Sequence, residues 1–83
     1  MMNFSIGDLL IPVPGRWRDR TEFGNSQNGI VVRIDDPKHY MGRDFCTVRI
    51  RWTKKDGSHW LGRSDADYLH NCIVAGDLRL VTA

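Results

Sequence analysis

Short apolar runs separated by turn residues organise this chain, and several of them alternate hydrophobic and polar positions. In the clearest run, residues 47–52, Val48, Ile50 and Trp52 alternate with threonine and arginine. Alternation with a period of two is typical of a strand with one buried face. We therefore predict that these three apolar side chains are buried and that Arg49 and Arg51 are exposed, because a slip of one residue would bury two charges.

Four further runs predict strands. They span residues 8–13, 29–35, 58–62 and 76–81. In the second of these, residues 30, 32 and 34 are expected on one face, and Val31 and Arg33 on the other. Residues 54–57 predict a tight turn, because Gly57 adopts positive φ without steric cost.

The remaining segments are polar connections. Residues 14–28 predict a long excursion, and residues 36–44 a loop. In 63–76, Ser64 is a candidate helix N-cap, with acidic residues in the first turn and one or two helical turns to about His70. The alternative for this segment is a loop packed against an open end of the fold. The pattern as a whole predicts an all-β, single domain over residues 1–83: a closed or nearly closed five-stranded barrel with this short insertion before the last strand.

Four sequence segments and a glycine turn carry a resemblance to a known fold. The segments are GDLL (7–10), GIVVRID (29–35), VRIRW (48–52) and DLRLV (77–81). In order and spacing they resemble the SH3-like β-barrel, and the compact form looks most like phage-encoded accessory proteins. The resemblance implies a protein-interaction role, either as an assembly accessory or as an inhibitor of a host factor. The chain lacks the clustered tyrosines and paired tryptophan of proline-peptide-binding SH3 domains, so that specificity is not expected.

Composition narrows the possible functions. The 83 residues are 41% hydrophobic and 27% charged, which is typical of a globular domain. The net charge of +2 is far below that of a dedicated nucleic-acid binder, although nine of the twelve basic residues are arginine. Two cysteines make no disulfide framework, and no apolar run approaches the roughly 20 residues of a membrane span. We expect a cytoplasmic protein with no membrane contact, in the host cytoplasm if the protein is phage-encoded.

Two groups of residues are candidate binding sites. The first loop interleaves basic and aromatic side chains that suit an interface hot spot or base stacking: Arg16, Trp17, Arg18, Arg20 and Phe23. Acidic residues in the same loop reduce its positive charge, which favours a protein partner. The alternative is that the tryptophan folds back as a lid over the barrel. The second group is Arg33, Arg49 and Arg51 on one strand face, which suits contact with nucleic-acid phosphates or with an acidic protein surface. Its alternative is a solvated sheet face, with Arg33 paired to a carboxylate such as Asp35 or Asp56.

Chemistry beyond binding is not expected. His70 and Cys72 are the one close pair of metal-ligand types, and their spacing matches no zinc motif. The sequence has no nucleophile elbow or phosphate loop, so we predict no catalytic residues, no metal and no cofactor. The predicted function is a non-enzymatic module that binds another protein. Nucleic-acid binding and structural assembly are the alternatives, and the oligomeric state is left open.

Overall fold

The computed structural model describes residues 3–15 and 26–83, which form seven strands and one helix. The elements are β1 Leu9–Pro12, β2 Ser26–Ile34, β3 Lys38–Tyr40, β4 Arg43–Phe45, β5 Thr47–Lys54, β6 His59–Asp65, α1 Ala66–Val74 and β7 Leu78–Val81. Five strands form one antiparallel sheet in the order β6-β5-β2-β1-β7, while β3 and β4 form a separate hairpin. The strand-rich class is confirmed. The closed barrel is wrong for the described residues: β6 and β7 are the two edges of an open sheet, and α1 contacts both.

The core lies on one face of this sheet and beneath the helix. Val48, Ile50 and Trp52 are buried with at most 1% exposure, as the alternation predicted. Leu10, Val31 and Leu78 join them from the neighbouring strands, and the helix adds Ala66, Leu69 and Cys72. Because the apolar residues of α1 recur three apart, one helical stripe covers the core.

A bulge in β2 changes the faces that simple alternation predicted. Val31 pairs with Ile50 and Arg33 with Arg49, so Val32 is an extra residue between two ladder positions. As a result, Val31 points into the core, whereas Val32 and Arg33 are both exposed. A bulge bends its strand and re-aims the side chains that follow. The shared face expected for residues 30, 32 and 34 is therefore wrong.

Residues 36–44, predicted as a loop, contain regular structure, and of the two alternatives for 63–76 the helix is confirmed. Within 36–44, β3 and β4 form a hairpin whose two-residue turn has positive φ at Met41 (50°) and at Gly42 (80°). In 63–76, Ser64 is not the N-cap, because β6 continues to Asp65, which occupies the N-cap position of α1 without a side-chain capping hydrogen bond. The helix then runs for nine residues, past the predicted end near His70. The helix extends past this point because its hydrophobic stripe packs onto the core, and tertiary packing of this kind provides most of a short helix's stability.

The hairpin is attached to the start of the helix by one arginine. Arg43 Nη2 lies 3.0 Å from Asp65 Oδ2 and 3.5 Å from Asp67 Oδ2. The same guanidinium lies over the ring of Phe45, 4.5 Å from its centroid. Asp65 and Asp67 also suit the helix N-terminus, where the helix dipole favours negative charge.

Asp8 connects the two ends of the described chain. Its side chain is buried and accepts hydrogen bonds from the backbone N–H of Ser5 at 2.8 Å and of Ala83 at 3.0 Å. A buried carboxylate is costly unless it is hydrogen-bonded, so these two bonds allow Asp8 to lie in the interior. Within the described residues, no helix is long and apolar enough to cross a membrane.

Candidate interaction face

The outer face of β2, β5 and β6 brings together four arginines. Arg33 pairs directly with Arg49, and Arg49 pairs directly with Arg63, so the three form a row across adjacent strands. Arg51 lies two residues along β5, on the same face. We call these four residues the arginine face. Like charges directly opposite one another on a sheet are destabilising, so a nearby negative charge would stabilise this row.

Asp35 supplies part of that charge. Its Oδ1 lies 3.0 Å from Arg33 Nε, and its Oδ2 accepts a hydrogen bond from Arg49 Nη2 at 3.1 Å. The hydrogen bonds from Arg49 lower the pKa of Asp35, opposed by its partial burial, and the charges of Arg49 and Arg33 lower it further. The same bonds raise the pKa of Arg49 above its ordinary value. Arg33 therefore has a carboxylate partner, as the solvated-face alternative expected, and that partner is Asp35. Asp56 instead accepts bonds from Ser58 in the β5–β6 turn.

The two other arginines lack such a partner in the described part of the chain. No carboxylate among residues 3–15 and 26–83 forms an ion pair with Arg51 or Arg63. Both side chains are exposed, whereas that of Arg49 is 43% exposed, less than the sequence predicted. Arg49 is less exposed because its guanidinium folds against Asp35. The face thus offers two cations to a ligand and holds two others through Asp35.

Apolar side chains lie among these charges. Leu61 is 73% exposed and Val32 is 38% exposed. Both border a groove of about 500 Å³, whose lining is Val32, Arg33, Arg49, Leu61, Gly62 and Arg63. Exposed aliphatic residues beside a row of arginines are a feature of protein interfaces, where an apolar centre is surrounded by polar contacts.

Behind this face, two tryptophans and two glycines pack closely together. Trp52 and Trp60 are cross-strand partners whose rings stack at 6.1 Å with an interplanar angle of 24°. A Cβ at Gly29 would lie 2.6 Å from Trp52 Cε3, and one at Gly62 would lie 2.8 Å from Trp60 Cζ3. Only glycine leaves room for the rings at these two positions. Trp60 Nε1 also donates to Ser26 Oγ at 3.4 Å.

The residues proposed from the sequence are only partly described by the structure. Arg33, Arg49 and Arg51 do share one face. The first-loop residues Arg16, Trp17, Arg18, Arg20 and Phe23 lie outside the described residues, so that interface stays a prediction.

Sequence reasoning missed Arg63 and Leu61. The apolar run predicts a fourth strand that ends at residue 62, so Arg63 falls in the following segment. The signal was present: outward Leu61 and Arg63 alternate with Trp60, Gly62 and Ser64, which are partly buried on the other face.

The cysteines of the described chain are free and form no part of a metal-binding cluster. The described residues contain no group of three or more histidine, cysteine or acidic side chains that could hold a metal ion. Cys46 and Cys72 are free thiols; Cys72 is buried, and Cys46 Sγ lies 3.8 Å from the carbonyl oxygen of Asp35. The absence of a metal and of a cofactor stays a prediction.

Comparison with known proteins adds no assignment: no family model, curated protein or solved structure matches the chain.

Proposed function

We propose that this chain is a non-enzymatic binding module whose partner is another protein. The observation that carries the proposal is the arginine face, in which exposed Leu61 and Val32 lie among cations beside a groove of about 500 Å³. On binding, the aliphatic side chains at the centre would be buried against the partner and contribute binding energy. The arginines would attract an acidic partner and fix its orientation. The rings of Trp52 and Trp60 stack toward the core, so they do not present a platform for bases on this face.

The proposal includes the fold, which we assign to the SH3-like type. An antiparallel sheet whose last strand pairs with its first, and whose helix packs on the core and contacts both β6 and β7, supports an SH3-like architecture opened between these two strands. With that architecture we propose the phage-type role that the resemblance implies, either an assembly accessory or an inhibitor of a host factor. If the first-loop residues also contact the partner, they would enlarge the interface that the arginine face forms.

The test is capture of a partner with charge-matched variants. The double variant Arg51→Ser/Arg63→Ser removes the two cations of the face that have no carboxylate partner among the described residues. The control Lys55→Ser/Arg79→Ser removes the same charge from the β5–β6 turn and from β7, at the opposite edge of the sheet. From nuclease-treated lysate, wild type and control should retain the same protein, and the face variant should lose it. Equal retention by both variants, or loss on nuclease treatment, would refute the proposal.

Nucleic-acid binding is the second candidate, and one observation favours it. Arg33, Arg49 and Arg63 form an in-register cationic row that a phosphate backbone would neutralise. If all four arginines contacted phosphates, affinity would fall roughly a hundredfold between 50 and 200 mM salt. Gel shifts with duplex and single-stranded DNA at both salt concentrations measure this. If DNA binds tightly in physiological salt and the Arg51→Ser/Arg63→Ser variant loses this binding, nucleic-acid binding would replace protein binding as the proposed function.

A further inference from the structure

The outer edge of β6 is open in the described part of the chain. β6 pairs with β5 without interruption from Thr47↔Asp65 to Thr53↔His59, and no bulge twists it away. No described strand pairs with its other side. β6 also contains no lysine or proline, the residues that commonly protect sheet edges. An edge of seven residues with these properties is a template for another strand.

Hydrogen bonds at the two ends of the ladder show which backbone groups point outward. Lys54 N–H donates to Ser58 O at 2.8 Å, and Ala66 N–H donates to Cys46 O at 2.8 Å. Because bonded pairs alternate along an antiparallel ladder, the even-numbered residues of β6 bond to β5. The N–H and C=O groups of residues 59, 61 and 63 therefore point away from β5. No described residue forms a hydrogen bond with them.

The same residues place their side chains on the arginine face. A strand added to β6 would lie about 4.8 Å from it, so its outward side chains would contact Leu61 and Arg63. An aliphatic residue suits Leu61, and a carboxylate suits Arg63, which is exposed and lacks a described acidic partner. A second copy of this chain suits the edge less well, because it would bring another arginine face alongside the first.

We infer that the partner binds as an extended acidic segment that adds a sixth strand to the edge of β6, with alternating aliphatic and acidic side chains on the arginine face. This inference rests on the proposed function and specifies its partner. Main-chain bonds to residues 59, 61 and 63 contribute affinity, and the outward side chains contribute specificity, as in other cases of strand addition.

The first experiment uses the blocked peptide Thr-Val-Thr-Glu-Thr-Val-Thr-Glu-Thr as the probe. Two further peptides carry N-methyl groups on alternate residues, one on the odd positions and one on the even positions. Only one set of N–H groups can face β6, so one methylated peptide should bind at least tenfold more weakly than the other. On binding of the unmethylated probe, hydrogen exchange at the amides of Leu61 and Arg63 should slow about tenfold or more. The amides of Trp60 and Gly62, already bonded to β5, should change little.

The second experiment alters the edge itself. Leu61→Pro removes one outward N–H without removing a bond to β5, and Leu61→Ala removes the same side chain but keeps the N–H. The proline variant should bind the probe at least tenfold more weakly than the alanine variant, with circular dichroism checking that both fold. The hydrogen-exchange measurement on wild type remains decisive if the proline variant does not fold.

Several outcomes separate this inference from the proposed function. If both methylated peptides bind equally well, strand addition is wrong. The proposed function nevertheless stands if the Arg51→Ser/Arg63→Ser variant still loses its captured protein. Failure of the unmethylated probe to bind at millimolar concentration also overturns the inference. A dimer in solution that Leu61→Pro dissociates would assign the edge to a second copy and overturn it as well.

Discussion

Substituting Gly29 by alanine tests how tightly the sheet packs around Trp52. The new Cβ would lie 2.6 Å from both Ile50 Cγ2 and Trp52 Cε3, whereas carbon atoms in contact are normally about 3.5–4.0 Å apart. The indole has little room to move, because Gly62 lies close to its other side and Trp60 stacks on it. The overlap of about 1 Å must therefore be relieved by shifting a strand or by forcing a side chain off its rotamer.

Two opposing terms decide the magnitude. Overpacking a core costs about 1–3 kcal/mol, while replacing glycine by alanine restricts the unfolded chain and returns about 0.4–1 kcal/mol. We expect Gly29→Ala to lower the free energy of unfolding by about 1–2 kcal/mol. For a domain of this size, that shift corresponds to a decrease in Tm of roughly 5–15 °C.

Urea and thermal unfolding, followed by tryptophan fluorescence and circular dichroism, measure this cost. A double-mutant cycle with Trp52→Phe identifies its cause, because phenylalanine lacks the fused ring that the new methyl group meets. In the Trp52→Phe background, Gly29→Ala should cost at least about 1 kcal/mol less. An unchanged cost in that background, or a Gly29→Ala protein as stable as wild type, would refute the packing argument.

Three other substitutions test separate parts of the structure. Trp52→Ala should cost about 3–5 kcal/mol, much of the total stability of so small a domain, as urea unfolding would show. Met41→Asn should raise Tm, because asparagine tolerates the positive φ at this turn better than methionine. Asp35→Asn should lower stability at neutral pH. Since folding lowers the pKa of Asp35, the difference from wild type persists above about pH 4 and closes as pH falls through the folded-state pKa.

The amino-acid sequence by itself determined where the central strand lies and which side of it is buried. Val48, Ile50 and Trp52 alternate with charged or polar residues, and only one register buries the first set without burying arginine. The glycine turn at residues 54–57 is also predictable from the sequence, because the positive φ at Gly57 depends on local chemistry alone. These features need no information from distant parts of the chain.

Tertiary structure decided the candidate face. Whether Arg63 lies beside Arg49 depends on how far β6 extends and on its register with β5, and neither follows from local propensity. The bulge at Val32 likewise depends on pairing with β5, since two adjacent valines fit either face equally well. The requirement for glycine at position 29 also comes from a distant residue. A side chain there would overlap Trp52, which is 23 positions away in sequence and directly opposite across the ladder. Contacts between strands, rather than the strands themselves, placed four arginines on one face and three of them beside one groove.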